Sequence, residues 1–204
     1  MRKRARQDSR KTELINAAIQ TIARSGTLDV TVADIAREAG MSPALAHHYF
    51  GSKDQIFLST MREILRRYGV TVRAALAAAD GPRARLLALL DASLGPEHFN
   101  VDTIAAWLNF YVLAQQGGDA ARLLRVYHRR LRTCLIMDLR PLIGARAPTA
   151  AETLGALIDG VYLRRALERD PAGDVLDLPR LYLQSLLDGQ GTAHLPMAKK
   201  GQFP

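Results

Sequence analysis

Trp107, Phe110 and Tyr111 fall within five residues of a 204-residue chain that holds one Trp, six Tyr and five Phe in all. The faces of such rings attract a cation that has no proton to donate. Tyr127 and Tyr162 lie on the helices predicted to flank this segment, and Asp159 could add a carboxylate. Plain packing fits the same residues. Ile104, Trp107, Leu108 and Tyr111 form an i, i+3, i+4, i+7 stripe, as a core face does, and Asp159 suits an interhelical hydrogen bond equally well. Bond-making chemistry is not indicated. There is no G-x-S-x-G elbow, Walker loop or dinucleotide fingerprint. His47 and His48 are adjacent, so one helix cannot aim both at one metal, and no carboxylate stands at H-E-x-x-H spacing. No metal and no cofactor are expected. An aromatic pocket without catalytic pairs points to sensing, not to an enzyme.

Residues 31–57 carry a second kind of chemistry. Thr31 reads as a helix N-cap with Asp34 three residues on, and Gly40 ends that helix at a turn needing a left-handed residue. Ser42 caps the next helix, with Pro43 at its first position, and Ser52 caps a third with Gln55 closing a capping box. This is the spacing of a helix-turn-helix, which lays its second helix in a DNA major groove. The Ser42 hydroxyl and the amides at that helix start suit a phosphate, as do Thr31 and Lys53. Ala44, Leu45, His47 and His48 face outward on the helical wheel, while Ala46, Tyr49 and Phe50 turn mostly inward. The DNA-contacting candidates are therefore Thr31, Ser42, Pro43, Ala44, Leu45, His47, His48 and Lys53, with Tyr49 at their border. One histidine is expected on the DNA and the other near the turn.

The elements holding these residues are all helical. The chain is 48% hydrophobic and 24% charged, enough for a packed core. Ala, Leu and Arg dominate, which favours helices. Periodicity predicts helices over about 9–25, 31–39, 42–50, 53–79, 83–94, 101–116, 119–140, 149–169 and 178–187, with no alternating strand. Gly26 is read as the stop of the first. From Gly189 onward the periodicity is lost, which predicts a disordered tail over 189–204. Net charge is +8, half of it within residues 1–53, and the first eleven residues hold six bases and one acid. A flexible basic arm ahead of residue 9 would suit phosphate or minor-groove contacts. Cys134 is the only cysteine, so no internal disulfide can form, which fits a cytoplasmic location. No apolar run is long enough to span a bilayer, so no membrane partner is expected.

Thr31-Val32, Ile35-Ala36, Ala39-Gly40-Met41-Ser42, His48-Tyr49-Phe50, Ser52-Lys53 and Ile56-Phe57 resemble the TetR family of bacterial transcriptional regulators. Ala44 departs from the usual Gly of that pattern, and Ala46 from a larger apolar residue. The segments 106–111, 129–131 and 156–164 are similar to the BetI-like, choline-sensing repressors within it. The resemblance implies an all-α, TetR-like fold. A DNA-binding domain over 1–52 would precede a ligand-binding and dimerisation domain over 53–188. It also implies a homodimer that reads a palindromic operator in double-stranded DNA and is released by a small molecule, choline or a related quaternary amine. The ligand set would be Trp107, Phe110, Tyr111, Tyr127, Asp159 and Tyr162. Leu154, Leu157 and Val161, with Leu178, Leu181 and Leu186, would form a four-helix dimer interface. The alternatives are a repressor of efflux or catabolic genes that senses another hydrophobic effector, and an architectural DNA-binding protein with no ligand.

Overall fold

A computed structural model describes residues 2–25, 30–167 and 174–189. Among these, nine α-helices follow one another and no strand occurs: α1 Arg2–Ser25, α2 Val32–Glu38, α3 Pro43–Phe50, α4 Lys53–Ala78, α5 Gly81–Leu94, α6 Val101–Gln115, α7 Gly118–Ile143, α8 Ala147–Leu167 and α9 Asp174–Leu187. The expected Gly26 stop and the tail beyond Gly189 lie outside the described residues.

The helix starts follow from local chemistry. The Thr31 hydroxyl accepts the Asp34 amide while Asp34 accepts the Thr31 amide, a complete capping box. Ser42 accepts from the Leu45 amide and Ser52 from that of Gln55. The Ser52 cap is one-sided, because no bond returns from the Gln55 side chain among the described residues. Gly40 turns the chain at φ +62°, where a side chain would strain the backbone.

Three predicted boundaries move. The backbone is helical from Arg2, so the expected flexible arm continues α1 instead. Arg, Lys, Ala and Gln are good helix formers, and no Gly or Pro interrupts them. Helix α7 passes Pro141 and ends at Gly144, whose φ is +58°. Helix α9 starts at Asp174, so Pro179 lies in its second turn rather than at its start and removes one backbone hydrogen bond.

Two cores result. Leu14, Ala18, Ile22, Ile35, Ala36 and Ala46 are buried together, and Ile56 and Phe57 from the start of α4 join them. The larger core takes Met61 and Ile64 of α4 together with the inner faces of α5 to α9. Helix α4 therefore belongs to both. Helix α1 also packs on α6, which makes a second connection between the cores. Of the residues expected at a dimer face, Leu154, Val161 and Leu186 are buried within their own subunit and Leu157 is half-buried. The exposed apolar surface of α8 and α9 is carried by Leu163, Leu167, Leu176, Leu178 and Leu181.

Candidate nucleic-acid interface and effector site

The start of α3 is exposed at Ser42, Pro43 and Ala44. Ser42 uses its oxygen to cap the helix, which leaves its proton for an anion. Pro43 has no amide hydrogen, and the Ala44 N–H has no partner within the helix, as helix geometry requires. Thr31 differs. Its hydroxyl donates to Asp34 Oδ2 at 2.6 Å, and that carboxylate also takes Arg37 at 3.1 Å. The Thr31 bonds, with Arg37 beside them, hold the Asp34 carboxyl below the usual range. A phosphate at Thr31 would have to displace Asp34.

His47 and His48 are both exposed, and the structure separates them. His47 Nδ1 lies 2.7 Å from the Gly51 carbonyl. A carbonyl can only accept, so Nδ1 carries the proton. His47 is thus the one bound near the turn after α3. His48 stands edge-on to Tyr49, with ring centroids 5.7 Å apart, and makes no hydrogen bond or ion pair among the described residues. Leu45 is half-buried against the N-terminal core, as is Phe50, and Tyr49 is also half-buried. Ala46 is fully buried, so its small side chain sets how closely α3 lies on the helices beneath. Lys53 places Nζ 5.7 Å above the Phe57 ring.

Behind this unit, α4 is tied to α1 by polar groups. Glu63 accepts from Arg66 and Arg67, and Arg67 also donates to Asn16 Oδ1 at 2.7 Å. The Arg66 hydrogen bonds, aided by Arg67, lower the Glu63 pKa from 4.5 to about 2. A depressed carboxyl stabilises the fold above its unfolded pKa and loses that contribution as the pH falls through the folded one. The Glu63 contribution is thus complete above about pH 4.5 and gone below about pH 2. Thermal unfolding followed across this window is expected to fall less steeply with acid in Glu63→Gln than in the native chain. Parallel curves would contradict it.

The aromatic residues assemble in the larger core. The Trp107 ring lies 4.8 Å from Tyr127 and 6.2 Å from Tyr162. These three rings, with Tyr68 of α4, line a small enclosed cavity whose remaining wall includes Ile64, His98 and Thr103. Its free space, about 10 Å³, is no more than a single water molecule needs. Two of the phenol tips are hydrogen-bonded. The Tyr68 hydroxyl is 2.9 Å from Ser93 Oγ, and the Tyr162 hydroxyl donates to the Ser93 carbonyl at 2.8 Å and the His98 carbonyl at 3.2 Å. Burial pushes the Tyr68 phenol up to about 12 and raises those of Tyr127 and Tyr162. Burial also lowers the His98 pKa, so its ring is neutral at neutral pH. The cage is therefore an uncharged set of π faces, an environment suited to a cation that cannot hydrogen-bond.

The other candidates stand around this cage. The Tyr111 hydroxyl donates to Asp159 Oδ1 at 3.0 Å, and His128 Nε2 lies 3.3 Å from Oδ2. The Tyr111 ring is 5.6 Å from Trp107. Asp159 thus supplies negative charge from just behind the wall. Phe110 points elsewhere: it packs with Ile22, Phe57 and Met61 where the two cores meet. Tyr68 and His98 escaped the sequence reading. Tyr68 continues the buried stripe of Met61 and Ile64 along α4, and that continuation was the available signal. His98 lies in the Gly95-Pro96 segment, which reads only as a break.

Residues 14–60 match the bacterial regulatory proteins of the tetR family, and residues 82–188 match the BetI-type transcriptional repressor C-terminal domain. The chain belongs to the TetR family, with a BetI-type C-terminal domain. It is 50% identical over 187 residues to the HTH-type transcriptional regulator BetI of Brucella suis biovar 1, covering 90% of this chain and 94% of that protein. The BetI regulator of Agrobacterium fabrum is 46% identical, over 89% of this chain and 91% of its own. A solved transcriptional regulator from Saccharomonospora viridis, in complex with choline, aligns with a TM-score of 0.76 and 25% identity, over 89% and 96% of the two chains. One from Pseudomonas aeruginosa PAO1 aligns with a TM-score of 0.75 and 27% identity, over 89% and 92%. This TetR-family chain is a DNA-binding transcriptional regulator and not an enzyme. Among its described residues no helix is long and apolar enough to cross a membrane.

Proposed function

We propose that this TetR-family regulator is a repressor that binds a palindromic operator as a homodimer in the cytoplasm and leaves it on binding choline or a related quaternary amine. The observation that carries the reading is the uncharged cage of Trp107, Tyr68, Tyr127 and Tyr162, one wall of which belongs to α4. The choline complex of the Saccharomonospora viridis regulator supports the ligand class. Residues 1–52 act as the DNA-binding unit and 53–188 as the ligand-binding and dimerisation unit, with α4 running from one core into the other. The phosphate contacts fall to Ser42, the Ala44 amide and Lys53, and the base contacts to His48 and its exposed neighbours on α3.

The cage is too small for choline as it stands, so binding must spread its walls. Ile64 and Tyr68 move with α4, whose first turns are buried beneath the helix-turn-helix. A ligand that favours the wider cage thereby favours another spacing of the two recognition helices. A coupling of about 1–3 kcal/mol would weaken DNA binding about 5–150-fold. Fluorescence anisotropy with duplexes tiling the region upstream of the gene tests this. Tight binding to a palindromic site, loosened by choline within that range, is expected. Binding that choline leaves unchanged would refute the effector reading, and a monomer by light scattering would refute the dimer.

A further inference from the structure

A cleft between α4 and α7, distinct from the aromatic cage, combines an apolar floor with a rim of one charge. Leu65, Val72, Leu123, Val126 and Leu131 supply the floor. Arg62, Arg66, Arg73, Arg129 and Arg130 stand around it, and no acidic side chain lines it. The cavity measures about 680 Å³, within the range of small-molecule sites. Two of the arginines are partly neutralised: Arg66 pairs with Glu63 at 2.7 Å, and Arg62 lies 3.9 Å from Asp119. For Arg73, Arg129 and Arg130, no ion pair forms among the described residues. Guanidinium groups left over an apolar trough are matched by a molecule that is anionic at one end and apolar along its length. A second copy of the chain would instead bring like charges together.

We propose that this cleft binds a small amphiphilic carboxylate with a linear apolar tail. The tail lies on the floor and the carboxylate meets Arg129, Arg130 and Arg73. The site stands apart from the choline reading, although Tyr68 and Tyr127 form a wall common to both cavities.

Calorimetry in saturating choline, which occupies the aromatic cage, with dodecanoate and dodecyltrimethylammonium below their micelle concentrations compares one tail carrying opposite charges at this cleft. The native chain is expected to bind dodecanoate at least about tenfold more tightly than the ammonium. An Arg129→Gln/Arg130→Gln double variant, altered only at exposed positions, is expected to weaken dodecanoate about tenfold and leave choline affinity unchanged. Val126→Glu, on the exposed part of the floor, should remove dodecanoate binding while preserving the melting curve. Absence of dodecanoate binding, equal binding of the two amphiphiles, or a double variant with native dodecanoate affinity would each overturn the proposal. Dodecanoate binding with no choline binding would uphold it and refute the quaternary-amine reading instead.

Discussion

Trp107→Ala should lower the affinity for choline about thirtyfold or more and destabilise the fold by about 3–5 kcal/mol. The indole is 6% exposed and stands at the centre of the aromatic group, within 6.2 Å of Phe110, Tyr111, Tyr127 and Tyr162. Removing it takes away the largest π face of the cage and opens a void between α6 and α7. A desolvated cation–π contact contributes about 2 kcal/mol, which is the thirtyfold. Because the alanine variant also loses stability, Trp107→Phe separates the two effects. It keeps a ring in the same slot, so it should melt closer to the native chain and still bind choline more weakly. Calorimetry for affinity and urea unfolding for stability provide both readings. Undiminished choline binding by the alanine variant would show that the ligand does not use this cage.

The helix-turn-helix was legible because its information is local. Thr31, Gly40, Ser42 and Pro43 each act on the backbone within three or four residues of themselves, and the structure puts every one of them in the predicted role. The cage was only half legible because it is assembled from distant elements. Trp107 and Phe110 are three residues apart on one helix, and that turn is enough to send one ring into the cage and the other to the junction with α1. Periodicity marks both as apolar but does not name the neighbour each will meet. Tyr68 and His98 were missed for the same reason: their partners, Ser93 and Thr71, are 25 and 27 residues away. Leu154, Val161 and Leu186 show the limit from the other side. Their apolarity was plain, but whether their own subunit or a second one covers them depends on how α8 and α9 meet the rest of the fold.

The largest loss of stability from a single polar change is expected at Arg85. Its Nε donates to Asp138 Oδ1 at 2.8 Å, and its Nη1 donates to the Leu76 carbonyl at 2.9 Å. Leu76 lies in the last turn of α4, where carbonyls lack helical partners, so one guanidinium joins the end of α4 to α5 and α7. The Asp138 side chain is only 10% exposed. Arg85→Met would leave that carboxylate buried without a counter-charge, which destabilises the fold. Asp138→Leu strands the arginine instead, but its side chain is 31% exposed and can turn to water, so the loss should be smaller. The double variant Arg85→Met/Asp138→Leu has no stranded charge and should recover most of the stability, because a buried pair exchanged for apolar groups of similar volume is close to neutral. Urea unfolding of the four chains gives the coupling energy. Single losses that simply add in the double variant would mean that the pair is not a unit. If they do not add, the C-terminal end of α4 is held by this pair while its N-terminal end sits under the DNA-reading helices, and the helix can then transmit a shift of the cage walls as a lever fixed at one end.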